Sequence, residues 1–416
     1  MANKIRKPLI RFKGFTDDWE QRKLGEITGK IIDKNSDMAI TETLTNSAEF
    51  GIISQTDFFD HAISKLNKLS GYTVVRKDYF VYNPRISVTA PVGPINRNKL
   101  DRDGVMSPLY TVFSTHDIDN SFLEWFFKNN SWHKFMRFNG DSGARSDRFS
   151  IKDEVFFRMP VLAPNDKEHI EQKHIGKFFE QLEHVITLHQ RKLDKLLNIK
   201  KSMLDKMFPK NGSDKPEIRF KGFTDAWEQR KLGEIAQRVI VGLATSVTPY
   251  YREEGIPILR NLNIKENYLD DNDVLYLDSD YANKQVSKQI HTGDVLTVHT
   301  GYIGTSCVVP SKYDKCLTFT TLVTTTNNDK LIGSFLSQYL NSDSGMISTQ
   351  MVTTQGGRQN LNTNDFEKVE IPFPSVDEQN KIYNILELFD QTITLHQRKL
   401  EKLKNLKKAC LERMFV

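Results

Sequence analysis

Cysteine is scarce. The three residues Cys307, Cys316 and Cys410 include no CxxC pair and cannot pair evenly, so a disulfide scaffold and a cysteine-based zinc site are both excluded, and a reducing cytoplasm is the expected setting. Long apolar runs are missing as well. No stretch approaches the roughly 18 residues that cross a bilayer, and the opening MANKIRKPLI holds nothing like a signal peptide. Charge of one sign is weak: 58 Lys and Arg against 53 Asp and Glu leave +5, which permits a polyanionic partner without requiring one. Catalytic signatures are absent too. The nearest string to an NPPY base-holding motif, Asn83-Pro84-Arg85-Ile86, lacks the second proline and the aromatic. Gly25 to Lys30 falls one residue short of a P-loop. Pro164 to Lys173 imitates a metal-dependent nuclease site, but at a helix start, where acidic residues are expected anyway. No HExxH or Cys/His metal spacing occurs. The chain is expected to do no chemistry by itself and to bind no cofactor.

What the sequence does contain is a duplication. Lys7 to Ile27 reads KPLIRFKGFTDDWEQRKLGEI and Lys215 to Ile235 reads KPEIRFKGFTDAWEQRKLGEI; the two differ only at Leu9/Glu217 and Asp18/Ala226. ITLHQRKL at Ile186 to Leu193 recurs at Ile393 to Leu400, giving a tandem repeat with a period of about 207 residues. Between these matched ends the middles share scattered anchors. The stretch from Gly293 through Gly304 resembles that from Lys77 to Ile95, and Asp141 to Ser150 resembles Thr354 to Phe366. Near-identical frames around divergent inserts point to one fold whose exposed surface has changed twice.

Each repeat ends in a long helix with a heptad seam. The first runs through Ile175, Phe179, Leu182, Ile186, His189, Leu193, Leu196, Lys200, Met203 and Met207; the second through Ile382, Leu386, Phe389, Ile393, His396, Leu400, Leu403, Lys407, Cys410 and Met414. Gly176 is the one glycine or proline inside either run. The turn-rich Pro209 to Glu217 starts the second globular region where the first helix ends, so the second helix pairs with the first only by running back, antiparallel. At 1.5 Å per residue, roughly 38 helical residues would span about 55–60 Å, enough for two half-sites one to two duplex turns apart. Lys200 and Lys407 are expected to snorkel out of the seam. A second apolar stripe, Leu188, Ile199 and Leu204 with Leu395, Leu406 and Leu411, suits either the globular regions or a partner protein.

WEQRKLGEI opening each half, MPVLAP from Met159 with Glu171-Gln172, IPFP from Ile371 with Glu378-Gln379, and the LHQRKL-to-MF tails together resemble type I restriction-modification specificity subunits, in the right order along essentially the whole chain. The resemblance implies two similar α/β (α+β) target recognition domains, 1–165 and 219–376. They are separated by a long antiparallel two-helix coiled coil, 166–208 and 377–416, in a pseudo-twofold tandem repeat with a linker at 209–218. It further implies a cytoplasmic, non-catalytic reader of a bipartite target in double-stranded DNA, with two modification (methyltransferase) subunits and two restriction (translocase/nuclease) subunits as partners. S-adenosylmethionine, ATP and Mg²⁺ would be held by those partners. The stretch Asn165 to Ile170 departs from the tighter second copy, which leaves the start of the first helix open.

Base reading needs donors and acceptors on loops that reach groove edges. In the first half the richest cluster holds Arg137, Ser142, Arg145 and Arg148, with Arg85 and Arg97 as secondary candidates. In the second half the matching run holds Gln355, Arg358, Gln359 and Asn360, with Arg260, Asn261, Lys265, Thr300 and Tyr302 elsewhere. Trp125-Phe126-Phe127, Trp19 and Trp227 read as packing anchors. The rival reading is a duplicated coiled-coil adaptor that joins proteins and never reads DNA.

Overall fold

The computed structural model describes residues 7–59, 66–141, 147–166, 168–210, 213–353 and 360–415. It contains two units. The first comprises residues up to Gln190 together with those from Lys399 onward, and the second is Arg191–Arg398.

In the first unit, WEQRK forms a strand, Trp19–Lys23, that pairs antiparallel with Pro160–Pro164. A four-stranded antiparallel sheet follows, in the spatial order Thr28–Lys30, Thr111–Thr115, Phe80–Tyr82, Ile95–Arg97. The helix Asn120–Lys128 packs beside it. Asp119 caps that helix by accepting a hydrogen bond from the Phe122 amide at 2.9 Å. Its Phe122, Leu123, Trp125, Phe126 and Phe127 are all buried in the unit's core, and the run Trp125-Phe126-Phe127 is the packing anchor the sequence predicts. Each such side chain contributes roughly 1.5–3 kcal/mol on leaving water. Two shorter helices, His133–Asn139 and Asp153–Phe156, lead into the ribbon's return strand.

The second unit repeats this plan strand for strand. Glu228–Lys231 pairs with Glu370–Phe373. The sheet order is Ala236–Val241, Thr321–Thr326, Val295–Val298, Ser306–Val308. The helices are Gly333–Leu340, Asp343–Val352 and Thr363–Phe366. The inserts diverge in their outer strands. The first unit has two separate pairs, Leu44–Ser47 with Gly51–Ser54 and Thr73–Val75 with Gly104–Met106. The second has a four-stranded sheet in which Ile256–Arg260 runs parallel to Leu317–Phe319. Cys307 and Cys316 are buried in a shared core beneath this region, and all three cysteines are free thiols.

The long helices run Ile170–Met207 and Val376–Met414. The first begins at Ile170 rather than at 166. His169 lies at φ +53°, a left-handed conformation that no continuing helix adopts, and Asp166 Oδ2 accepts a hydrogen bond from the Glu171 amide at 3.1 Å. The Glu-Gln pair at each helix start ties the repeat together. Arg11 forks onto Glu171 at 2.6 and 2.7 Å, and Arg219 onto Glu378 at 2.7 and 2.8 Å. The neighbouring glutamines hold the inserts: Gln172 accepts from the Asp119 amide and donates to the Pro164 carbonyl, while Gln379 accepts from the Ile332 amide and donates to Lys330 and Pro374. The motif that carries the family resemblance is thus the clamp between frame, insert and helix.

Within each unit the two long helices meet antiparallel. In the first, Glu183 pairs with Lys407, while Phe179, one turn earlier, meets Phe415, two turns later, at 6.0 Å. In the second, Lys200 pairs with Asp390 at 2.5 Å, and Met207 shares a core with Ile382 and Leu386. The two lysines therefore do not snorkel. Each remains largely buried against a carboxylate on the facing helix, because that acid offers a closer counter-charge than solvent. Each unit also takes the end of the other repeat's helix. Ile10 donates its amide to the Arg413 carbonyl at 3.1 Å, and Ile218 donates to that of Lys206 at 2.9 Å. The second apolar stripe divides. Leu411 and Leu204 pack on the cores of their units, whereas Leu188, Leu395 and Leu406 are about half exposed.

Candidate nucleic-acid interface

In both units the loop leaving the inner sheet strand, Phe80–Tyr82 or Val295–Val298, meets the chain returning from the short-helix region. The contact is an isolated antiparallel bridge: Arg85 opposite Arg148 in the first unit, Thr300 opposite Asn360 in the second. The Arg85–Arg148 bridge is flanked by hydrogen bonds from the Ile86 amide to the Asp147 carbonyl (3.0 Å) and from the Phe149 amide to the Pro84 carbonyl (2.8 Å). This is the non-hydrogen-bonded register of an antiparallel pair, in which the two side chains share a face at about 4.5 Å between Cα atoms. Arg85 is well exposed, with one terminal nitrogen 3.7 Å from Asp147. Asn83 fixes the approach, accepting a hydrogen bond from the Arg85 amide and donating to the Asn46 carbonyl. Gly93 closes the loop at φ +83°; a Cβ there would lie 2.1 Å from the Asn83 carbonyl oxygen, so no other residue fits.

The same loop walls a cleft of about 610 Å³, with Val88 and Thr89 on one side and His133, Lys134 and Arg137 on the other. Arg137 is exposed on the helix His133–Asn139. Burial, reinforced by the neighbouring Arg137 charge, lowers the His133 pKa below the usual imidazole value, so the permanent positive charge here is that of Lys134 and Arg137.

In the second unit, Asn261, Thr300 and Asn360 converge. Asn261 donates to Thr300 Oγ1 at 3.2 Å and accepts from Thr321 Oγ1 at 3.1 Å, while His299 Nδ1 lies 2.8 Å from Asn360 Oδ1. The sequence reading passed over His299; its one available signal was its place beside Thr300. Tyr302 projects from the loop at 88 % exposure, next to Gly301 at φ +85°.

Other candidates lie apart. Arg97 is a correction: its guanidinium is largely buried among Glu124 (2.8 Å), Asp78 and Glu180 (both 3.3 Å), where three carboxylates leave it nothing to offer a groove. Arg260 is likewise engaged, its terminal nitrogen donating to the Asp273 carbonyl at 2.6 Å and carboxylate at 2.9 Å. Lys265 stands on the small hairpin Ile264–Lys265/Tyr268–Leu269, outside the bridge cluster. Ser142, Arg145, Gln355, Arg358 and Gln359 lie outside the described residues.

Comparison with known proteins fits this duplicated geometry. Residues 224–405 match the model of the type I restriction modification DNA specificity domain, and the first half carries the same frame and the same strand order. The chain is similar to the type I restriction-modification specificity subunits. The type I restriction enzyme MjaX specificity subunit of Methanocaldococcus jannaschii is 25% identical over 248 residues, 58% of this chain and 55% of that protein, so the match spans about half the length of the relative. Two solved structures share the fold. One, a chain from a type I R-M system, is 16% identical with a TM-score of 0.53, covering 95% of this chain and 97% of its own. The other, the S subunit of a type I restriction-modification system from M. genitalium, is 13% identical with a TM-score of 0.53 and 99% of each chain covered. Polar side chains on equivalent loops of two like-folded inserts are the natural place to look for nucleic-acid contacts.

Proposed function

We propose that this chain is a type I restriction-modification specificity subunit that binds double-stranded DNA at a two-part, asymmetric target, each unit reading one half-site with its bridge face. The observation that carries this is the pairing of a common strand order with different polar side chains at equivalent loop positions, arginines in one unit and an amide and hydroxyl in the other. A fold kept constant while its groove-reaching residues change is what two different half-sites require. The long helices, 38 and 39 residues, each contribute to both units. Their half-exposed leucines, Leu188, Leu395 and Leu406, offer apolar surface for modification subunits. Methyl transfer and restriction belong to the partner subunits with their S-adenosylmethionine, ATP and Mg²⁺, and this chain supplies the address.

The test is co-expression of the full chain with its modification subunit in a host lacking adenine methylases, followed by genome-wide methylation mapping. A single two-part methylated motif that vanishes without this chain is the expected result. Methylation without such a motif, or a motif indifferent to this chain, would sink the proposal and favour a role as a protein adaptor.

A further inference from the structure

The two bridges occupy equivalent places in their units. Tyr82 lies opposite Ile95, and the Asn83 amide next donates to the Pro94 carbonyl; Thr297 lies opposite Ser306, and the Val298 amide next donates to that of Thr305. Two residues on, Arg85 and Thr300 therefore correspond. On the returning chain, the Phe149 amide donates to the Pro84 carbonyl and the Leu361 amide to that of His299, so Arg148 corresponds to Asn360.

What each pair can donate follows from its surroundings. Like charges directly opposite on one face of a ladder destabilise it, yet Arg85 and Arg148 are held there by the bridge. Asp147 approaches Arg85 at 3.7 Å, and Arg148 forms no ion pair among the described residues. Two planar donor forks share one face, Arg85 exposed and Arg148 half-buried, and an electronegative base edge or a phosphate is the partner that relieves their repulsion. The second unit's pair is uncharged and already oriented. With its proton on Nδ1, His299 donates to Asn360 Oδ1 at 2.8 Å, and among the described residues that oxygen's second lone pair and both amide hydrogens of this exposed side chain are not engaged. Thr300 Oγ1 accepts from Asn261, so its own hydroxyl hydrogen is available to donate.

Building on the DNA-reading proposal, we propose that these equivalent pairs are the base-discriminating positions of the chain: Arg85 and Arg148 read guanine in one half-site, and Asn360, oriented by His299 and flanked by Thr300, reads adenine in the other. A guanidinium fork matches the O6 and N7 acceptors of guanine, and a carboxamide with one free lone pair and a free N–H matches the N6 donor and N7 acceptor of adenine. His299 is a positioning residue here. It touches Asn360, not the base.

The test uses the full chain with its modification subunit in the same methylase-free host. First, the wild-type motif must contain guanine in one half and adenine in the other; a motif lacking either overturns the assignment. Second, R85A/R148A should relax the guanine position of one half-motif, with a loss of preference of about 10- to 100-fold, and leave the other half intact. Asn360→Ala should relax an adenine in the opposite half only. Third, R85K/R148K keeps both charges and loses the forks, so it should relax guanine while methylation continues. It also guards against a folding defect in the alanine variant. An unchanged motif in the lysine variant, or uniform weakening of both halves in any variant, would reassign the pair to phosphate contact and overturn the inference while leaving the two-part motif, and hence DNA reading, intact. Absence of a wild-type motif would instead sink the DNA-reading proposal itself.

Discussion

The buried carboxylate at each long-helix start shows how far one residue's surroundings decide its weight. Glu171 and Glu378 are each about 1 % exposed and each clamp an arginine of the opening frame. Glu378 also accepts from Trp227 Nε1 at 3.1 Å, whereas Trp19 Nε1 finds no partner among the described residues. Replacing either glutamate by Ala strands a buried guanidinium, at a cost of about 3–5 kcal/mol. Glu378→Ala should cost roughly 1 kcal/mol more, because it strands an indole N–H as well. Denaturant unfolding of the two variants checks both the size and the order; equal losses would mean that the Trp227 contact adds nothing. The sequence marks these glutamates as repeated but not as clamped, because their partners lie about 160 positions away. Arg97 fails as a groove contact for the same reason, since Glu124 and Glu180 meet it only after the sheet and helices have packed.

At the scale of elements, periodicity was enough to find both long helices and their buried faces. Ile175, Phe179, Ile382 and Leu386 are all buried as the heptad pattern requires. Strand order in the divergent inserts was out of reach, since strands of three or four residues carry too little alternation to read. Gly176 makes the difference between pattern and packing concrete. Glycine inside a helix is normally unfavourable by about 1 kcal/mol relative to Ala, but a Cβ at Gly176 would stand 2.6 Å from the Ser121 Cβ at the start of the helix Asn120–Lys128. Gly176→Ala should therefore destabilise the protein, by about 1–3 kcal/mol, instead of stabilising it. A rise in melting temperature would refute the close approach.

Over the whole molecule, the repeat was legible and the units were not. Near-identity between Lys7–Ile27 and Lys215–Ile235 records the duplication, but no residue in either frame states that the first unit is completed by Lys399 onward and the second by the end of the first helix. The candidate interface was half legible. The sequence named Arg85, Arg148, Thr300 and Asn360 separately, and only the bridges show that they form two pairs. Because the frames are nearly interchangeable, replacing the first insert by a second copy of Ala236 to Val376 should yield a folded chain whose methylated motif contains the second half-motif twice and the first not at all. Retention of the first half-motif would mean that the frames, and not the inserts, carry the reading.

The exchange of helix ends also sets an order of events at the ribosome. Arg191–Arg398 is one contiguous stretch and can close once its last turn has emerged. The earlier-made unit cannot, because Cys410, Met414 and Phe415 belong to its core, with Phe415 5.4 Å from Phe122. At about 5–20 residues per second, the nascent chain carries that aromatic cluster uncovered for tens of seconds. The half translated first is the half finished last, and through that interval its exposed rings are the surface a chaperone would hold.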